Sequence, residues 1–150
     1  MDSPPYFVLI TKARRDEGTS HHYLPPSEWS YLNLALAAVL RPALHDLSEP
    51  VQAGSSWSTD TPDRETQGAL DAAEAAQIDC AEMEAAALYA YGAARQRPVV
   101  CFAHIMNSMA VADDDFEKGA ANGALDAPEI AEVAARSILV EGKGISSSFD

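Results

Sequence analysis

At 150 residues the chain has the length of one domain, expected to span 1–150, and its 47% hydrophobic content suffices for one core. The formal net charge is −13, with 23 acids against 10 bases, which opposes a nucleic-acid partner because that needs a basic stripe to displace counterions. No apolar run approaches the ~20 residues of a membrane span, so no membrane partner is expected. The start, Met1-Asp2-Ser3-Pro4-Pro5, lacks the basic and apolar blocks of a secretory leader. Cys80 and Cys101 are too few for a disulfide framework, and they suit a reduced cytoplasmic setting or serve as small core residues.

Tyr6 to Ala13 is rich in β-branched and aromatic residues and predicts a strand, ended by Arg14-Arg15-Asp16-Glu17 and Gly18. Gly18-Thr19-Ser20 is a turn, and Pro25-Pro26 stiffens the segment after it. Ser27 and Ser30 offer caps for a helix expected from Trp29 to Leu40, which Pro42 bends or ends, with one more turn at 43–47. Val51 to Ser58 predicts a second strand, and 59–65 a loop containing Pro62. From Thr66 to Ala76 a helix is expected, with Ala69, Leu70, Ala73 and Ala76 on its apolar side.

Gln77 to Ala81 reads as a short strand fragment. An alanine-rich helix begins at Glu84 and ends near Arg95 and Pro98. Val99 to Met106 is almost wholly apolar and predicts a buried strand. Asn107 to Asn122 is irregular and carries Asp113-Asp114-Asp115, while 127–140 forms a last helix with Pro128 in its first turn. The tail, 143–150, is expected to be flexible. Strands alternating with helices define an α/β chain whose helices cover a sheet.

Chemistry concentrates at Glu82-Met83-Glu84, where an irregular segment becomes helix. Acids in a first helical turn complement the positive end of the helix dipole. A carboxylate there can equally accept hydrogen bonds from two neighbouring sugar hydroxyls, with Met83 a soft apolar surface beneath the ring. Residues two apart do not share a helix face, so on regular helix Glu82 and Glu84 cannot both point one way. His21, His22 and His104 have no carboxylate or cysteine at ligand spacing, so no metal is expected. The aspartate cluster lacks the alternation of a calcium loop.

Glu82-Met83-Glu84-Ala85-Ala86-Ala87-Leu88-Tyr89 resembles the ribose-binding signature of the nucleoside phosphorylase family, which holds uridine phosphorylases and hexameric purine nucleoside phosphorylases. Two more stretches agree in order: the run from Arg15 through Glu17-Gly18-Thr19-Ser20-His21-His22 to Pro26, and Thr59-Asp60-Thr61-Pro62-Asp63-Arg64-Glu65-Thr66. The resemblance implies a three-layer α/β/α sandwich, represented by its C-terminal half. It also implies attack of phosphate on the anomeric carbon of a nucleoside through an oxocarbenium-like transition state.

On that resemblance Glu84 binds the ribose hydroxyls, Met83 lies under the ring and Glu82 stands nearby. Thr19 and Ser20 match a loop near the phosphate and ribose, although turn chemistry explains them as well. Arg64 matches an arginine set against a pyrimidine carbonyl, or else pairs with Asp60, Asp63 or Glu65. Asn107 stands where purine members place a catalytic aspartate. An amide cannot act as a general acid, so the expectation leans towards a pyrimidine, with Asn107 and Arg64 at the catalytic positions. No cofactor is implied beyond phosphate as co-substrate.

The family's phosphate loop precedes the stretch matching Tyr6, so a homo-oligomer, or a complex with a chain supplying the missing N-terminal half, is expected. The dense early basic group is Lys12, Arg14 and Arg15, which the resemblance does not place on phosphate. Two alternatives stand beside this reading: a half-fold recruited for phosphate-independent chemistry on another small molecule, and a non-catalytic binding or assembly module.

Overall fold

The computed structural model of the protein describes residues 6–47, 49–64, 66–105 and 126–141. These form two compact units, and strands β1 (Tyr6–Asp16) and β3 (Val51–Thr59) contribute residues to both. The architecture is mixed α/β, with four α-helices among the described residues.

One unit gathers the described residues of Met1–Val8, Leu34–Gln52 and Phe102–Asp150. Helix α1 (Leu34–Leu44) buries Leu36, Leu40 and Leu44, spaced four apart so that they form one stripe. It packs against α4 (Asp126–Glu141), which buries Ile130 and Ala134 at the same spacing. Pro42 does not end α1; the helix runs two residues further, to Leu44, the last member of the buried stripe. In the same unit β5 (Phe102–Ile105) pairs with β1, and His104 stacks on Phe7 with ring centroids 4.4 Å apart. The expected buried strand over 99–106 is thus shorter, and it is half-buried along its length. An apolar run states a preference for burial but does not state what will cover it.

The other unit holds Leu9–Asn33 and Ala53–Cys101, with strand order β2-β1-β3-β4. Its β2 (Trp29–Tyr31) corrects the helix expected from Trp29. The segment lies antiparallel to β1, pairing Ala13 with Ser30 and Arg14 with Trp29. Bonds from Arg15 N to Glu28 O and from Leu32 N to Thr11 O continue the ladder at both ends. Three residues are too few to show an alternating pattern, and the aromatic Trp29 and Tyr31 suit a pleated surface. Trp29 also receives the Lys12 ammonium over its ring at 4.2 Å.

Beyond β3, α2 (Gln67–Ala75) is capped by Thr66, whose side chain accepts from Ala69 N. Ala69, Leu70 and Ala73 are its half-buried positions, continued by the half-buried C-cap Ala76, and the rest of the helix is exposed, as the periodicity predicts. β4 (Cys80–Glu82) runs parallel to β3, with Ser56 opposite Cys80 and Ser58 opposite Glu82. Helix α3 (Ala85–Arg95) buries Ala85, Ala86, Tyr89, Ala90 and Gly92 and packs against β2. A Cβ on Gly92 would stand 2.9 Å from Val99 Cγ2 and 3.0 Å from Arg97 O, so only glycine lets the chain fold back this closely. The Tyr89 hydroxyl donates to Ile10 O and accepts from Cys101 N, tying α3 to two neighbouring segments.

Ser30 is 1% exposed, and its hydroxyl finds no hydrogen-bond partner among the described residues. Burying an unsatisfied hydroxyl costs about 1–3 kcal/mol. Ser30→Ala should therefore stabilise the fold by about 1 kcal/mol, read as a higher urea midpoint at unchanged slope. A lower midpoint would mean that the hydroxyl has a partner after all.

Candidate functional site

The three motifs meet in one unit, and named hydrogen bonds join them. Gly18 N donates to Asp60 Oδ2 at 2.8 Å, and Trp57 Nε1 to Asp16 Oδ2 at 2.9 Å, linking the Arg15–Pro26 loop to the end of β3. Ser56 and Ser58, two apart and hence on one face of β3, both donate to Glu82 Oε1. β3 therefore connects the first motif to the third.

At the third motif, Glu82 is the last residue of β4 and not part of the helix. Its Oε2 accepts from Glu84 N at 2.7 Å and Ala85 N at 2.6 Å. Ser58 Oγ accepts from Ala86 N at 2.9 Å. Glu84 occupies the N-cap position of α3 but makes no side-chain cap bond, and it is exposed. Met83 beside it is 48% exposed. Among the described residues, the Glu82 carboxylate is fully engaged and that of Glu84 has no hydrogen-bond partner.

The first motif is built around Arg15, 7% exposed at the end of β1, a strand that continues through the charged residues expected to stop it. Each of its five N–H groups has a partner. Nε donates to Ser20 Oγ, Nη1 to Pro25 O and Ser27 Oγ, and Nη2 to Leu24 O and His21 Nδ1. Because guanidinium only donates, His21 Nδ1 is the acceptor in this bond. Ser20, expected at the ligand, is fully buried with its hydroxyl held by this network, whereas Thr19 is exposed. The turn at Ser20–His22 packs against α3, and Tyr23 meets Tyr91 edge to face at 5.6 Å.

Glu17 closes the loop from within, its carboxylate accepting from Thr19 N and Ser20 N. Burial pushes this carboxyl up, but the bonds from Ser20 and Thr19 and the nearby His21 outweigh it and hold it below its ordinary 4.5. A lowered folded pKa gives stability that is complete above the unfolded value and is lost as pH falls through the folded one. Wild type should thus be more stable than Glu17→Gln at neutral pH, and the gap should shrink as pH falls below 4.5 and through the lowered folded-state value. A gap that persists at pH 2 would refute this linkage.

The early basic group is dispersed. Lys12 covers Trp29, Arg14 faces Glu28 at 3.7 Å, and Arg15 is enclosed by its loop. Arg64 lies exposed on the short turn Pro62–Arg64. Among the described residues no ion pair joins it to Asp60 or Asp63, and Asp60 is engaged with Gly18 instead. Glu65, Asn107 and Asp113-Asp114-Asp115 lie outside the described residues, as does 143–150.

Burial, with the carboxylates of Glu82 and Asp79 beside it, pushes the Cys80 thiol up to about 12. Burial and the charges of Glu82 and Glu84, against a bond from Tyr89, bring Cys101 to about 12 as well. Neither is a nucleophile at neutral pH. Among the described residues no group of three His, Cys, Asp or Glu side chains could hold a metal ion, and no helix is long and apolar enough to cross a membrane. The sequence reading does not single out Ser56, Ser58 or the internal role of Arg15; the Ser-x-Ser spacing ahead of Thr59 is the available signal for the first two.

One α/β unit thus brings together a loop-held arginine, a serine-lined strand and a Glu-Met-Glu helix entrance. The chain belongs to the Phosphorylase superfamily, whose family model matches residues 3–139. No curated protein sequence matches it. Among solved structures it is similar to AMP nucleosidase from Bacteroides thetaiotaomicron VPI-5482, with a TM-score of 0.72 and 20% identity. That match covers 93% of this chain and 57% of the other, so the chain spans little more than half the length of the protein it resembles. The likeness establishes the nucleoside phosphorylase-like fold that the motifs imply.

Proposed function

We propose that the chain is part of an enzyme that cleaves the N-glycosidic bond of a nucleoside or nucleotide, with Glu84 gripping the vicinal hydroxyls of ribose. The observation that supports this most directly is the exposed Glu84 carboxylate, which has no hydrogen-bond partner among the described residues, at a helix entrance whose capping is done by other groups. Met83 beside it offers an apolar surface for the ring. Membership of the Phosphorylase superfamily supports the reaction class.

The finer reading, phosphorolysis of a pyrimidine nucleoside with Arg64 and Asn107 near the base, rests on the resemblance of the motifs. The name of the solved neighbour points instead to a purine nucleotide and to a nucleosidase. A second chain or a further copy supplies the phosphate site in the phosphorolytic version, and phosphate is then co-substrate.

The test is calorimetric titration with uridine, adenosine and AMP, each beside its 2′,3′-dideoxy analogue. Chromatography tracks free base with and without phosphate. The proposal expects binding that needs the diol and weakens in Glu84→Gln. Base release only with phosphate selects phosphorolysis, and release without it selects hydrolysis. If no ribonucleoside binds, or if the dideoxy forms bind equally, the proposal fails.

A further inference from the structure

We propose that Glu82 is a positioning residue: with Ser56 and Ser58 it caps α3 from the neighbouring strand, so that the Glu84 carboxylate stays free for its ligand. The inference rests on the ribose-gripping role proposed for Glu84, and it gives Glu82 a distinct role of its own.

A helix leaves its first N–H groups without internal partners, and the N-cap side chain usually serves one of them. At α3 the N-cap residue, Glu84, makes no such bond. Its own N–H and that of Ala85 go to Glu82 Oε2, and that of Ala86 goes to Ser58 Oγ. The other oxygen, Oε1, is taken by the hydroxyls of Ser56 and Ser58. Four donors converge on one carboxylate, which uses its acceptor capacity in full and leaves nothing for a substrate hydroxyl. The anion also lies at the positive end of the helix dipole.

Backbone bonds fix Glu84 as firmly as its carboxylate is left open. The Glu84 carbonyl already accepts from Leu88 N, beginning the helical ladder. Its amide is pinned by Glu82, so the position of Cα is set from both sides. Preorganisation of this kind matters because a misplacement of about 1 Å at a reacting geometry can cost roughly a hundredfold.

The experiment is a double-mutant cycle of Glu82→Ala and Glu84→Gln, read as the dissociation constants of adenosine and uridine, with amide hydrogen exchange at 84–86 in the ligand-free protein. Glu82→Ala should weaken binding by roughly tenfold to a hundredfold in the wild-type background and hardly at all in Glu84→Gln. Exchange at Ala85 should quicken by about tenfold. Glu82→Gln, whose amide oxygen can still accept at the helix while the serine hydroxyls rotate to accept from its NH2, should restore most of both. It also provides a folded variant if Glu82→Ala does not fold. Ser58→Ala should reproduce the loss in smaller measure.

Additive losses in the cycle would make Glu82 a direct ligand and overturn the proposal, as would unchanged exchange at 84–86. If wild type binds neither nucleoside, the ribose reading and the positioning role fall together. Faster exchange in Glu82→Ala would then still record the cap itself, so the two failures are distinguishable.

Discussion

Replacing Glu84 by Ala is expected to lower the second-order rate constant for the cognate nucleoside about a thousandfold, while the melting temperature stays within about a degree. A charged acceptor contributes about 1.5–3 kcal/mol per hydrogen bond, and a vicinal diol offers two. Glu84→Gln keeps one carbonyl acceptor and should lose about a hundredfold. The stability half of the prediction stems from exposure: Glu84 caps nothing with its side chain, so truncating it removes no internal bond. On a substrate lacking the 2′ and 3′ hydroxyls, wild type and variant should react alike. An equal loss on both substrates would show that the carboxylate acts elsewhere than on the diol.

Arg15→Lys is expected to destabilise the protein by about 3 kcal/mol, a drop of roughly 6–12 °C in melting temperature for a chain of this size. The guanidinium spans five acceptors on five residues of one loop, namely Ser20, His21, the Leu24 and Pro25 carbonyls and Ser27. A lysine ammonium is a point donor with three hydrogens and cannot reach them together. Arg15→Met, which keeps much of the apolar stem, should cost at least as much, because the Ser20 hydroxyl and its neighbours are left buried and unpaired. Thermal denaturation of both variants checks this. Wild-type stability in Arg15→Lys would mean that the loop is held by Glu17 and Asp60 alone.

Much of the fold is legible in the chain where the governing contacts are local. Thr66 with the spacing of Ala69, Leu70, Ala73 and Ala76 fixes α2 within a short window of sequence. The three motifs carry the family, since each is a short contiguous run. The hidden features depend on partners far along the chain. The residues at 29–31 become strand because β1 offers them an edge, and no window around Trp29 contains β1. By sequence Arg15 reads as one of the charged residues that end a strand; its burial needs acceptors as far off as Ser27. Glu82 and Glu84 are indistinguishable by type and differ only in that one ends a strand while the other begins a helix.

The way α3 is capped bears on the order in which the chain acquires structure. Ser56 and Ser58 are 26 and 24 residues from the carboxylate they meet, so the start of this helix is completed only after a long loop has closed. A peptide cut at 80–96 would carry Glu82 but no serines, and an eleven-residue helix is marginal in water even with so many alanines. The start of α3 is therefore expected to be completed only once the β3–β4 pairing has brought the serines to Glu82. Slow synthesis through 60–79 would delay, and could not advance, the moment at which Glu84 reaches its place.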